Sequence, residues 1–100
     1  MKHIAHLDVR LQARTNSGES LHIHYKGLVH VDGKATRVLQ YAADAKTTEY
    51  GDHYWFTAPT FETSDDNLKW MEDSFFLGEG RFIVDETGYG IEYEIYRVIN

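Results

Sequence analysis

Asp8, Arg10, His22, His24 and Lys26 are the side chains of this sequence best suited to chemistry, and their spacing is what groups them. Within each run they fall on every second residue. In extended backbone Asp8 and Arg10 therefore share one face of one strand, and His22, His24 and Lys26 share one face of another. An arginine presents a planar fork to a carboxylate or enolate oxygen, and a histidine exchanges a proton near neutral pH. Arg10 would then hold an acidic oxygen, His24 would act as acid or base, and Asp8 and Lys26 would brace both electrostatically. His22 and His24 also form His-x-His, a spacing that metal sites use. The strand register derived next places Gln12 beside His22 and Arg10 beside His24, and a guanidinium next to a metal cation is electrostatically unfavourable. No metal site is expected.

Two alternating runs position these groups. Ala5, Leu7, Val9, Leu11 and Ala13 alternate with polar residues, as do Leu21, Ile23 and Tyr25, and Thr15-Asn16-Ser17-Gly18-Glu19 between them is rich in turn formers. The pattern predicts a β-hairpin. Pairing Thr15 with Glu19 keeps like faces together: Ala13 meets Leu21, Leu11 meets Ile23 and Val9 meets Tyr25, while Gln12 meets His22, Arg10 meets His24 and Asp8 meets Lys26. Such a polar face is ordinarily solvated, and a functional reading would instead place it inside a barrel. Periodicity alone leaves both open.

Further along, Asp32-Gly33 predicts a turn, and the spacing of Val38, Tyr41, Ala42 and Ala45 predicts a short helix over residues 35–44. Lys46-Thr47-Thr48-Glu49 reads as an exposed loop. Residues 54–58 predict a strand ended by Pro59, with residues 61–63 extending it. Ser64 or Asp65 would cap one helical turn containing Leu68, Trp70 and Met71. Residues 75–84 predict a strand in which Gly78 and Gly80 mark a bulge or a close backbone approach. A turn at Glu86-Thr87-Gly88-Tyr89 would set Asp85 opposite Gly90, Val84 opposite Ile91, Phe82 opposite Tyr93 and Arg81 opposite Glu94. Alternation puts Tyr54 and Phe56 on one face and Trp55 and Thr57 on the other, so one set only can line a cavity. Glu62 and Glu79 are candidates for a pair of acids.

Composition narrows the classes. One hundred residues make one domain, 1–100. A net charge of -6 with ten scattered basic residues argues against nucleic acid. The sequence has no cysteine, which removes disulfides, thiolate metal sites and a cysteine nucleophile. No apolar leader or membrane-length stretch is present, and a cytoplasmic setting is expected. No Ser-His-Asp spacing, phosphate loop or dinucleotide fingerprint occurs, and no cofactor is expected.

Several blocks taken in order resemble one family. Asp8-Val9-Arg10-Leu11 resembles its Asp-x-Arg-aromatic strand, and Thr15-Asn16-Ser17-Gly18 its Thr-x-Asp-Gly turn, with a serine in place of the acid. Residues 54–63, YWFTAPTFET, are similar to its Tyr-Phe-x-Thr-x-Pro-x-Phe-Glu block; Trp70-Met71-Glu72 resembles its Trp-Leu-Asn, and Phe76-Leu77-Gly78-Glu79-Gly80 its Phe-Val-Gly-x-Gly. The family is the domain of unknown function 3237. Each block alone is weak, but their order is specific and spans nearly the whole chain.

The resemblance implies an antiparallel β-barrel with a cavity. It also implies further amino-terminal strands with a Gly-Gly motif, so this chain would correspond to the carboxy-terminal two-thirds and leave two sheet edges unpaired. A homodimer or larger assembly is therefore expected. The expected fold is all-β, an antiparallel β-barrel or strongly curved sheet built from hairpins, with one or two short helical turns. The expected function is binding of a small aromatic or acidic organic molecule in the interior, with Arg10, His24 and Tyr54 as principal contacts and Asp8 and Phe56 beside them. The alternatives are an isomerase, lyase or hydrolase using His24, and a structural assembly module with a filled core.

Overall fold

Alternation of apolar and polar residues is carried through five strands. The structure, a computed structural model, describes residues 3–100. The first two residues, part of the stretch read for a leader, lie outside the described residues. Strands β1 (His3–Arg14), β2 (Ser20–Val31), β3 (Trp55–Thr63), β4 (Phe76–Asp85) and β5 (Gly88–Arg97) form one antiparallel sheet in chain order, β1-β2-β3-β4-β5. The first hairpin has the predicted register: Ala13 faces Leu21, Leu11 Ile23, Val9 Tyr25, Arg10 His24 and Asp8 Lys26. The Thr15 N–H donates to the Glu19 carbonyl at 2.9 Å.

The sheet is curved and does not close. Strands β2 and β5 are separated by β3 and β4, about 14 Å apart if the sheet were flat. Yet the Tyr25 and Tyr93 rings stand edge to face at 5.2 Å. The sheet therefore rolls toward the face that carries Leu7, Val9, Tyr25, Trp55, Phe82 and Tyr93. Glycines on β4 make this possible. A Cβ on Gly80 would fall 2.5 Å from the Trp55 ring, and one on Gly78 would fall 2.8 Å from Thr57 Oγ1. With β4 bare at these two positions, Trp55 from β3 and Tyr93 from β5 meet above it, rings 5.6 Å apart. Of the two expectations for Gly78 and Gly80, close approach holds, and β4 pairs with β5 without interruption.

A helix covers one end of the concave face. Helix α1 (Gly33–Leu39) is capped by Asp32, whose carboxylate accepts from the Ala35 N–H. It starts earlier than its apolar spacing predicts, at the Asp32 cap, and ends earlier, where Tyr41 takes a positive φ of 54° and turns the chain away. Ala35 and Val38 pack with Val29, Trp55 and Phe82 as the buried core. The following segment is not an exposed loop throughout. Thr48 is buried, its hydroxyl accepts from the Phe82 N–H at 3.0 Å, and the Thr47 hydroxyl accepts from the Val84 N–H at 2.8 Å. These two threonines satisfy the edge of β4 where no strand lies.

Three other expectations change. Pro59 does not end β3; it sits inside the strand opposite Tyr25, and the β3–β4 register holds at only two positions, Phe56 with Glu79 and Thr57 with Gly78. The β4–β5 turn is the two-residue Glu86-Thr87, which sets Asp85 opposite Gly88, Val84 opposite Tyr89, Phe82 opposite Ile91 and Arg81 opposite Glu92. Asp85 fixes this tighter turn by accepting from both the N–H and the hydroxyl of Thr87, at 2.9 and 2.7 Å. Finally, the turn at residues 64–74 is a 3₁₀ helix (Asp66–Asp73) capped by Asp65, whose carboxylate accepts from the Asn67 N–H at 2.9 Å. Its Trp70 lies half exposed against Phe76 and under the Arg97 guanidinium.

Candidate functional site

The two faces of the sheet offer different chemistry. On the outer, convex face Asp8, Arg10, His22 and His24 come together as the hairpin register requires. Asp8 lies opposite Lys26 in the backbone, but its carboxylate turns diagonally to His24, with Oδ1 2.8 Å from Nε2. Because a carboxylate only accepts, His24 Nε2 carries the proton in this contact. The His24 hydrogen bond, ahead of the charges of His24, Lys26 and Arg10, holds the Asp8 carboxyl below its usual 3.8. Arg10, Gln12, His22, His24, Thr60 and Glu62 line an open groove of about 490 Å³ over this face.

Tyr54 and Phe56 share the outer face but not that groove. Tyr54 stacks on His30 at 4.6 Å and meets Phe56 edge-on at 4.9 Å, toward the opposite end of β2 and β3. Phe56 pairs with Leu28, and His24 with Thr60, four residues along β3. Glu62 and Glu79 are further apart still. Glu79 stands opposite Phe56, six residues from Glu62 on β3 or about 20 Å, and it accepts from the Tyr96 hydroxyl at 3.2 Å. Among the described residues, no three His, Asp or Glu side chains converge as metal ligands do.

The concave face holds a second groove, of about 320 Å³. Leu11, Ile23 and Pro59 wall one side and Ile91 and Ile95 the other, with Thr57, Tyr25 and Tyr93 between them. The Tyr93 hydroxyl donates to the Tyr25 hydroxyl at 3.4 Å. Burial pushes the Tyr93 hydroxyl well above the usual tyrosine range, its contact with Tyr25 adds to the rise, and the nearby Trp55 N–H partly offsets it. Trp55 itself is 2% exposed, and among the described residues its indole N–H has no acceptor in hydrogen-bonding geometry. A buried donor left unpaired costs about 1–3 kcal/mol.

Sequence reasoning placed Trp55 and Thr57 on the face opposite Tyr54 and Phe56, which holds, but took the other set as cavity lining. Tyr25 and Tyr93 were legible only as members of an aliphatic face. The one signal was a hydroxyl-bearing ring among aliphatic neighbours on both β2 and β5.

A curved antiparallel meander with helical cover at one end and a groove on its inner face defines a β-barrel-like protein. The chain belongs to the family described as "Protein of unknown function (DUF3237)", whose profile matches residues 1–98. Its fold is similar to three crystal structures. One is a protein of unknown function from Clostridium acetobutylicum ATCC 824, at 20% identity and TM-score 0.66, covering 96% of this chain and 58% of that one. Another is a conserved protein of unknown function from Rhodopseudomonas palustris, at 18% identity and TM-score 0.71, covering 96% and 60%. The third is a β-barrel-like protein from Acinetobacter baumannii AYE, at 18% identity and TM-score 0.60, covering 94% and 55%. The chain thus spans less than two-thirds of the length of each. No curated protein matches.

Proposed function

We propose that this domain binds a small organic molecule on the concave face of its sheet, in a cytoplasmic setting and as a homodimer or larger assembly. The supporting observation is the concave groove itself, whose aliphatic walls enclose the Tyr25 and Tyr93 hydroxyls. Small-molecule sites combine mostly apolar lining with a few fixed polar groups in this way, and about 320 Å³ suits a ligand of one or two rings.

A second reading is carried by the Asp8–His24 contact. It orients an imidazole beside Arg10, an arrangement suited to proton transfer on an acidic substrate in an isomerase, lyase or hydrolase. Thermal-shift screening of small aromatic and acidic metabolites separates the two. On the first reading, stabilisation by a ligand is lost in Ile95→Asp and retained in Arg10→Ala. The reverse pattern favours the outer face, and a screen that stabilises nothing leaves a structural module with a filled core.

A further inference from the structure

Resting on the concave groove as the binding site, we propose that its ligand is a neutral carbonyl compound, an aromatic or alicyclic ketone or aldehyde, whose oxygen accepts a hydrogen bond from the Tyr25 hydroxyl. Three donors stand in sequence. Among the described residues the Trp55 N–H, buried beside Tyr93, has no acceptor of its own, Tyr93 donates to Tyr25, and the Tyr25 proton has no acceptor. The run therefore ends in an uncommitted O–H among Leu11, Ile23, Pro59 and Ile95. A hydroxyl that receives a hydrogen bond becomes a stronger donor, so Tyr93 polarises Tyr25 toward an incoming oxygen.

The same surroundings set the charge of that oxygen. Among the described residues no cation lines the groove, and burial already pushes the Tyr93 phenol away from its anionic form. A carboxylate placed there would suffer the same desolvation, whereas a carbonyl oxygen accepts without carrying a charge into the groove. A hydrocarbon of the same shape would leave the Tyr25 proton unpaired.

Acetophenone and α-methylstyrene test this, because they differ chiefly in carrying C=O or C=CH₂ at one position. Binding of each is measured by ligand-detected NMR on the wild-type chain, Tyr25→Phe and Ile95→Asp. We expect Tyr25→Phe to weaken acetophenone about 5- to 10-fold, to leave α-methylstyrene within about 2-fold, and Ile95→Asp to weaken both. If Tyr25→Phe changes the two probes equally, or neither, the carbonyl assignment fails while the groove stands as a site. If neither probe binds the wild-type chain, the groove fails as a site and the assignment with it.

Discussion

Gly80 leaves the space that the Trp55 ring fills. Replacing it with alanine would drive a methyl into the Trp55 ring, and the crowding is expected to cost about 1–3 kcal/mol. Gly90→Ala is the control, since nothing lies within 4 Å of its Cβ position, and it should leave the urea midpoint unchanged or slightly raised. Thr48→Val tests the other unusual residue. The variant keeps the shape but leaves the Phe82 N–H unpaired and removes the partner of the buried His53 ring, whose Nε2 lies 2.9 Å from the Thr48 hydroxyl. Chemical denaturation should show a loss of about 1–3 kcal/mol. Thr48 was missed in the sequence because two adjacent threonines between charged residues have the composition of a surface loop. Only the gap beside β4 explains the burial of Thr48.

Hairpins were the elements most legible in the sequence. Period-two alternation fixed the β1–β2 register residue by residue, because a slip of one residue would bury the charged face. The β4–β5 register differs by two residues, and that error is invisible to periodicity: it keeps every side chain on its correct face while changing all its partners. What decides it is the Asp85 side chain closing a two-residue turn. The groove was not legible for a different reason. It depends on β2 and β5 approaching over bare glycines, and strand patterns carry no information about curvature between strands that are not adjacent. Loop caps were partly readable. Asp65 was one of two candidates, and Asp65→Ala should lower stability by about 0.5–2 kcal/mol in thermal or urea unfolding, through loss of the Asn67 N–H bond and the 3.0 Å bond from the Ser17 hydroxyl.

At the scale of the whole molecule, β1 and β5 have no partner on their outer sides among the described residues, and they expose Ile4, Leu11, Ile91, Ile95 and Tyr96. Unpaired apolar edges favour pairing with another strand, so light scattering at micromolar concentration should give at least twice the mass of one chain; a single-chain mass sinks the assembly proposal. Acid should weaken the fold. The carboxyls of Asp8, Asp85 and Glu92 are all held below their usual range, by hydrogen bonds from His24, Thr87 and Arg81 respectively. Their unfolded forms bind protons first. The stability they contribute is therefore complete above about pH 5 and lost as pH falls toward about 2, so the melting temperature should drop across that interval. A melting temperature flat from pH 5 to 2 would contradict it.

The two-position pairing of β3 with β4 divides the sheet into a three-stranded leaf and a two-stranded ribbon. The concave groove straddles that join, with Leu11, Ile23, Tyr25 and Pro59 on the leaf and Ile91, Tyr93 and Ile95 on the ribbon. The least heavily bonded line in the molecule is thus also the line along which the groove would widen. Hydrogen exchange should accordingly be faster at Phe56, Thr57, Gly78 and Glu79 than within the β1–β2 hairpin, and a molecule bridging leaf and ribbon should slow it there first.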